Sequence, residues 1–272
     1  MRIELPLAAG ICVVMGQLFA LGVPAPILQT AGAFLSVLFV SASILVLNDY
    51  FDVETDRVNA PHRPIPSGVV TPFEALSFSV FLMLAGLLLS GLLGAAALIC
   101  SIVLLIIGFL YNRKFKKSGL PGNLLVSFSV GMTFIYGGVS VRMPFNKIVL
   151  FFAAIAALID LGEEIAADAM DVAGDRLIQS NSLAIRYGRD AALRISGSLF
   201  ILVIALTAIP FLLRWFAFVY AIPIVVMDGV IAYSTLRLLK SDDNAVRVHI
   251  RRLYLGATAG LVVFLLMRLL GV

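Results

Sequence analysis

The chain has 272 residues, of which 61% are hydrophobic and only 13% charged, and its mean hydropathy is +1.06. A soluble domain carries about 25% charged residues, so the composition excludes an ordinary soluble enzyme and describes an integral membrane protein. The net charge of +4 reflects the topology worked out below and does not suggest nucleic acid.

Nine apolar runs are each close to the roughly 17–25 residues that cross a bilayer core. They lie near Leu5–Leu21, Ala31–Leu47, Phe73–Leu89, Leu93–Tyr111, Leu124–Val141, Ile148–Leu161, Ile195–Leu213, Trp215–Leu236 and Leu253–Leu270. The first lacks a basic leader and a clear small-residue cleavage site, so it reads as a span and not as a cleaved signal. The third and fourth are almost continuous, divided only by "SGLLG" at Ser90–Gly94. The runs are long and do not alternate, and lipid tolerates no unpaired backbone, so an all-α bundle of nine transmembrane helices is expected and a barrel is not. Of the twenty Lys and Arg, all but Arg142, Lys147, Arg214 and Arg268 fall at the N-terminus or in loops after even-numbered spans. The positive-inside rule therefore places the N-terminus and those loops in the cytoplasm. Cys12 and Cys100 sit inside apolar runs as small hydrophobes and imply no disulfide. One domain over residues 1–272 is expected.

After the second span comes "LNDYFDVETDRVNAPHRPIPSG" (Leu47–Gly68), and after the sixth comes "DAMDVAGDR" (Asp168–Arg176). Both contain D-x-x-D-V-x-x-D-R: Asp49, Asp52, Asp56 and Arg57 recur as Asp168, Asp171, Asp175 and Arg176 at a constant offset of 119 residues. Spacings of three and four align each acidic set on one helix face, and the second stripe runs back through Glu164 and Asp160. Carboxylates about 6 Å apart repel by roughly 2.8 kcal/mol per pair at an effective dielectric near 20, a cost that cations remove. With the carbonyl of Asn48, these are hard oxygen donors that favour Mg²⁺ over Zn²⁺. A solvated acidic loop would explain one such cluster but not two at the same spacing; a paired structural metal site or an ion pathway is a further reading. Arg63 in "HRPIPSG" and the run "NRKFKK", with Arg113, Lys114, Lys116 and Lys117, supply basic groups. Acids that hold Mg²⁺ beside bases suit a bound diphosphate, although such a basic loop also serves as an inside-facing anchor.

These residues resemble the UbiA superfamily of intramembrane prenyltransferases over essentially the whole chain. Its first motif, N-D-x-x-D-x-x-x-D, is matched by Asn48, Asp49, Asp52 and Asp56, and its second, D-x-x-x-D, by Asp171 and Asp175 with Asp168 ahead; "RPIPSG" and "LAIRYG" are further matches. The resemblance implies nine helices with a cytoplasmic-side polar cap and a lipid-open chamber. It also implies Mg²⁺ as cofactor and an isoprenoid diphosphate donor; since both acidic sets follow even-numbered spans, the active site is expected to face the cytoplasm. It assigns the metal to Asn48, Asp52, Asp56, Asp171 and Asp175, with Asp49 and Asp168 as further ligands or supports. The diphosphate falls to Arg63, Arg113, Lys114, Lys116 and Lys117. Within the superfamily the chain looks closest to archaeal digeranylgeranylglyceryl phosphate synthases, where a geranylgeranyl group joins geranylgeranylglyceryl phosphate. It departs from their second region by carrying Glu163, Ala167 and Met170 where an arginine, a diphosphate-binding lysine and a glutamate often stand.

An aromatic-acceptor prenyltransferase of quinone or haem biosynthesis would share every motif. A cation-coupled transporter would also bury acids, but nearer the membrane midplane and at broken helices. Among the remaining polar residues, Asp228 is costly to bury and therefore a candidate for an acceptor or helix-packing role. Tyr136 could line the chamber and stabilise a cationic carbon through its ring, or simply pack. His62 and His249 are single and lie in loops, which argues against a metal role.

Overall fold

A computed structural model describes residues 3–170, 172, 176, 179–240 and 243–270, and every regular element among them is helical. The helices are α1 (Glu4–Leu21), α2 (Ile27–Phe51), α3 (Val53–Asn59), α4 (Pro72–Leu93), α5 (Ala95–Leu110), α6 (Leu120–Ser140), α7 (Lys147–Met170), α8 (Leu183–Tyr187), α9 (Arg189–Thr207), α10 (Ile209–Leu212), α11 (Ala221–Lys240) and α12 (Asp243–Leu270). A π-helical turn, Tyr111–Phe115, continues α5, and a short 3₁₀ turn, Phe218–Tyr220, leads into α11. Among the described residues eight helical segments are long and apolar enough to cross a bilayer. The chain is thus an all-helical, multi-pass membrane protein. The expected sixth span corresponds to α7, which has 24 residues but carries Asp160, Glu163, Glu164 and Asp168 in its C-terminal half, so its composition sets it apart from the eight.

The chain divides into two compact units, Met1–Lys114 with Met132–Leu150, and Phe115–Gly131 with Phe151–Val272. In the first, α2 packs on α1, α4 and α5. Lipid is as apolar as leucine, so helices here associate through close approach and hydrogen bonds rather than through water exclusion. The buried stripe of α4 is accordingly Ala75, Ser79, Leu82, Gly86 and Ser90, while Phe73, Phe81, Leu84, Leu88 and Leu92 face outward. The Ser43 hydroxyl donates to the Ser79 carbonyl at 2.9 Å and the Ser36 hydroxyl to that of Gly86 at 3.2 Å. Helix α4 begins at a capping box between Thr71 and Glu74, with Pro72 in its first turn. It ends at Gly94, whose φ of +132° lets the chain reverse in one residue; nothing lies within 4 Å of a Cβ built there, so the backbone alone selects glycine. At the α1–α6 contact, Gly16 and Gly137 lie so close that a Cβ on either would meet the carbonyl of Phe134 or of Val13.

In the second unit a cluster of Ile165, Ala166, Ala169, Ala184, Leu193 and Leu238 joins α7, α8, α9 and α11. Helix α11 packs along both α9 and α12.

Candidate active site

The first acidic set lies where α2 gives way to α3. Asp52, with φ −90° and ψ 0°, interrupts the helix, yet the ladder of four-residue steps survives the interruption: Asp52 N–H donates to the Asn48 carbonyl, Asp56 N–H to Asp52, and Ala60 N–H to Asp56. The stripe expected on one straight helix is therefore bent at its middle carboxylate. Asn48, Asp49 and Asp52 are half-buried, Glu54 is exposed, and Asp56 is 6% exposed.

A nearly buried carboxylate requires a partner, and Asp56 has one. The Arg63 Nη1 donates to its Oδ2 at 2.6 Å, while Asp49 Oδ1 stands 3.7 Å from the same nitrogen. Arg63 is held by the Pro-rich turn after α3, where its N–H donates to Ala60 and its carbonyl accepts from Ser67. One guanidinium thus gathers two of the three aspartates, leaving part of itself exposed.

Asn48 is fixed from another direction. Its Nδ2 donates to Asn112 Oδ1 at 2.7 Å, and Asn112, itself buried, donates to the Ile44 carbonyl at 3.3 Å. With the nitrogen so committed, the Oδ1 of Asn48 is the end left for a cation. Asn112 sits in the π-helical turn that also carries Arg113 and Lys114, both exposed. Such turns recur at functional positions because the widened ring redirects side chains. Here it aims an amide at α2 and leaves two cations on the surface. Lys116 and Lys117 follow in the second unit, where the Lys117 carbonyl accepts from Asn181 N–H.

Within the second unit, α7 presents its acids to α6. Asn123 Nδ2 donates to Asp168 Oδ2 at 2.9 Å, and the Ser127 hydroxyl donates to Asp160 Oδ2 at 3.0 Å. Glu164, between them in the sequence, is half-buried, and Ala167 is exposed. Asp171 and Asp175 lie outside the described residues.

The donors at the end of α2 are amide and carboxylate oxygens, a set that fits Mg²⁺. Among the described residues no three His, Cys, Asp or Glu side chains stand close enough to hold a metal by themselves.

A sequence model of the UbiA prenyltransferase family matches residues 9–267. The chain belongs to that family. This prenyltransferase is 33% identical over 243 residues to the digeranylgeranylglyceryl phosphate synthase of Methanocaldococcus jannaschii, an alignment covering 89% of this chain and 85% of the relative. It is 29% identical over 266 residues to that of Haloquadratum walsbyi, covering 96% and 92%. A solved digeranylgeranylglyceryl phosphate synthase superposes with a TM-score of 0.79 at 31% identity, covering 98% of this chain and 95% of the other. A UbiA homolog from Archaeoglobus fulgidus, solved with GPP and Mg²⁺, shares the fold with a TM-score of 0.70 at 17% identity, covering 98% and 99%.

The remaining candidates lie elsewhere. Tyr136 is wholly buried in the first unit, its hydroxyl 2.8 Å from Ser36 and 3.0 Å from Ser90, and Ser90 bonds on to Ser101 at 2.6 Å. The ring packs in a cluster with Val13, Ala33, Val37 and Ala97. Asp228 accepts from the Thr207 hydroxyl at 2.8 Å across α9 and α11, and its second oxygen is buried without a hydrogen-bond partner. This favours the helix-packing reading. Asn112, Asn123 and Ser127 were not singled out in the sequence. Each is a polar residue in or beside an apolar run, which was the available signal.

Proposed function

We propose that this prenyltransferase transfers a geranylgeranyl group from its diphosphate to geranylgeranylglyceryl phosphate, in the assembly of archaeal ether lipids. The observation that carries this is the alignment with named digeranylgeranylglyceryl phosphate synthases over nearly nine-tenths of the chain, combined with the acidic pattern repeated at constant spacing. The proposal takes residues 1–272 as one catalytic domain of nine spans, with α7 counted as the sixth, and with a lipid-open chamber and a polar cap on the cytoplasmic side. The excess of Lys and Arg after even-numbered spans supports that orientation.

Asn48, Asp49 and Asp52, with Asp168, Asp171 and Asp175, are assigned to hold Mg²⁺. Asp56 serves the same site through Arg63, which its charge anchors. Mg²⁺, when bound, supplies positive charge that stabilises the leaving diphosphate. Arg63, Arg113, Lys114, Lys116 and Lys117 hold the diphosphate oxygens and orient the allylic carbon. The bond from that carbon to the diphosphate oxygen breaks, and the acceptor hydroxyl oxygen bonds to the carbon as its proton passes to the released diphosphate. Fixed charges in a water-poor site favour the separation of charge in that step.

The test uses purified full-length protein in detergent, with geranylgeranyl diphosphate, Mg²⁺ and either geranylgeranylglyceryl phosphate or a hydroxybenzoate or naphthoate acceptor. The expected result is a Mg²⁺-dependent glyceryl diether and no prenylated aromatic. Turnover of an aromatic acceptor with none of the glyceryl ether refutes the acceptor assignment.

A further inference from the structure

Away from the acidic motifs, α11 and α12 line an open groove of about 590 Å³. Its apolar stretch is formed by Val226, Gly229 and Val230 on α11 and by Leu255 and Gly256 on α12. Val226 and Leu255 are exposed on helices that belong to the bilayer, so the groove opens toward lipid.

Its other end is cationic. Arg252 lines it, and so does Tyr233, over whose ring the Arg237 guanidinium lies 5.5 Å from the centroid. Tyr233 also meets the His249 ring edge-on at 6.4 Å, and the positive fields of Arg252 and Arg237 both reach that imidazole. Three basic side chains therefore converge where α11 ends and α12 begins. Among the described residues, the hydroxyl of Ser234, which also lines the groove and is wholly buried, has no hydrogen-bond partner, and His249 Nδ1 is buried in the same condition. Buried polar atoms left unpaired are costly, which points to an oxygen-rich molecule that completes them.

An apolar channel leading to Arg252, with Arg237 beside it on Tyr233, at the end of two membrane helices, matches one chemistry. We propose that this groove binds an anionic phospholipid of the surrounding bilayer, with a chain along Val226, Gly229 and Leu255 and the phosphate at Arg237 and Arg252. A basic pocket between helices at the bilayer interface recognises lipid headgroups in this way. The proposal is independent of which acceptor is prenylated.

Native mass spectrometry of the full-length protein in detergent, titrated with dioleoylphosphatidylglycerol or dioleoylphosphatidylcholine, tests it. The anionic lipid is expected to bind about tenfold or more tightly than the zwitterionic one, the difference that one charge-assisted hydrogen bond supplies. In R237Q/R252Q that preference is expected to vanish. Gly229→Leu places its side chain where a built Cβ meets nothing within 4 Å, so it fills the groove without disturbing the helices and is expected to weaken both lipids. Prenyl transfer and a monodisperse elution profile report that the variants are folded. Binding that is equal for the two lipids, or unchanged in both variants, overturns the proposal. So does displacement of the bound lipid by glycerol 3-phosphate alone, which would make it a phosphate site. A loss of self-association without a change in lipid binding would make the groove a contact between copies of the chain, and overturns it too.

Discussion

The Arg63 guanidinium is placed by two carboxylates, and removing one of them is expected to act on the donor diphosphate without touching it. At 2.6 Å against 3.7 Å, the Coulomb attraction from Asp56 is about 1.4 times that from Asp49. Asp56 is also the more buried of the two, with its side chain 8% exposed against 24%. Water therefore screens the Asp49 contact more, and Asp56 is the dominant anchor. A hydrogen bond between charged groups contributes about 1.5–3 kcal/mol, and the 29% exposure of Arg63 places this one near the lower end. Asp56→Ala is therefore expected to free Arg63 and raise the KM for geranylgeranyl diphosphate about tenfold, with a smaller change in kcat. Arg63→Ala is expected to do the same to KM and to cost more stability, because it leaves a nearly buried carboxylate unpaired. In the double variant the KM effect is expected to match that of Arg63→Ala alone, since the aspartate acts through the arginine. Steady-state kinetics of the three variants at saturating Mg²⁺, with thermal unfolding in detergent alongside, decide it. KM effects that multiply in the double variant would refute the anchoring argument and return Asp56 to an independent role.

Asn112→Ala is expected to raise the Mg²⁺ concentration needed for half-maximal activity several-fold, because it releases Asn48 and leaves the Ile44 carbonyl without its amide donor at about 1–3 kcal/mol; a Mg²⁺ titration of prenyl transfer reads it, and an unchanged half-maximal concentration would reject the positioning role. Gly137→Ala is expected to destabilise the protein by about 1–3 kcal/mol, since its methyl meets the Val13 carbonyl; Gly91→Ala, with open space at its Cβ, is the control in the same unfolding measurement. Cysteines introduced at Lys116 and Arg176, with Cys12 and Cys100 replaced, are expected to react with impermeant reagent from the cytoplasmic side only, and labelling from opposite sides would reject the orientation drawn from the basic residues.

What the sequence made legible follows from what spacing records. A constant offset between two acidic sets is a property of the chain alone, so the candidate ligands and the family resemblance were readable before any fold. The long apolar runs were equally visible, and eight of the nine expected spans return as helical segments that meet the length and composition of a bilayer crossing. Partners were not readable, because they belong to packing. Nothing local indicates that Asn48 turns its nitrogen to Asn112, 64 residues away, or that Asp56 is claimed by Arg63. The bend at Asp52 was hidden for a related reason: the three-and-four spacing continues through it, and only the dihedral angles change.

The buried faces of the spans were the least visible feature, and lipid explains why. In water an apolar stripe marks the side of a helix that packs, but in a bilayer both sides are apolar and the stripe disappears. The distinction moves to size and hydroxyl content. On α4 the inward residues are Ala75, Ser79, Leu82, Gly86 and Ser90, and the outward ones include Phe81, Leu84 and Leu88. Read with that inverted rule, the serines of the spans become the markers of helix contact. Ser36, Ser43, Ser79, Ser90 and Ser101 are all buried, and Tyr136 joins them through its hydroxyl. The same rule separates the two polar populations of this prenyltransferase. Hydroxyls satisfied by neighbouring helices hold the bundle, whereas the oxygen of Asn48 that Asn112 does not engage is the one proposed to meet a ligand.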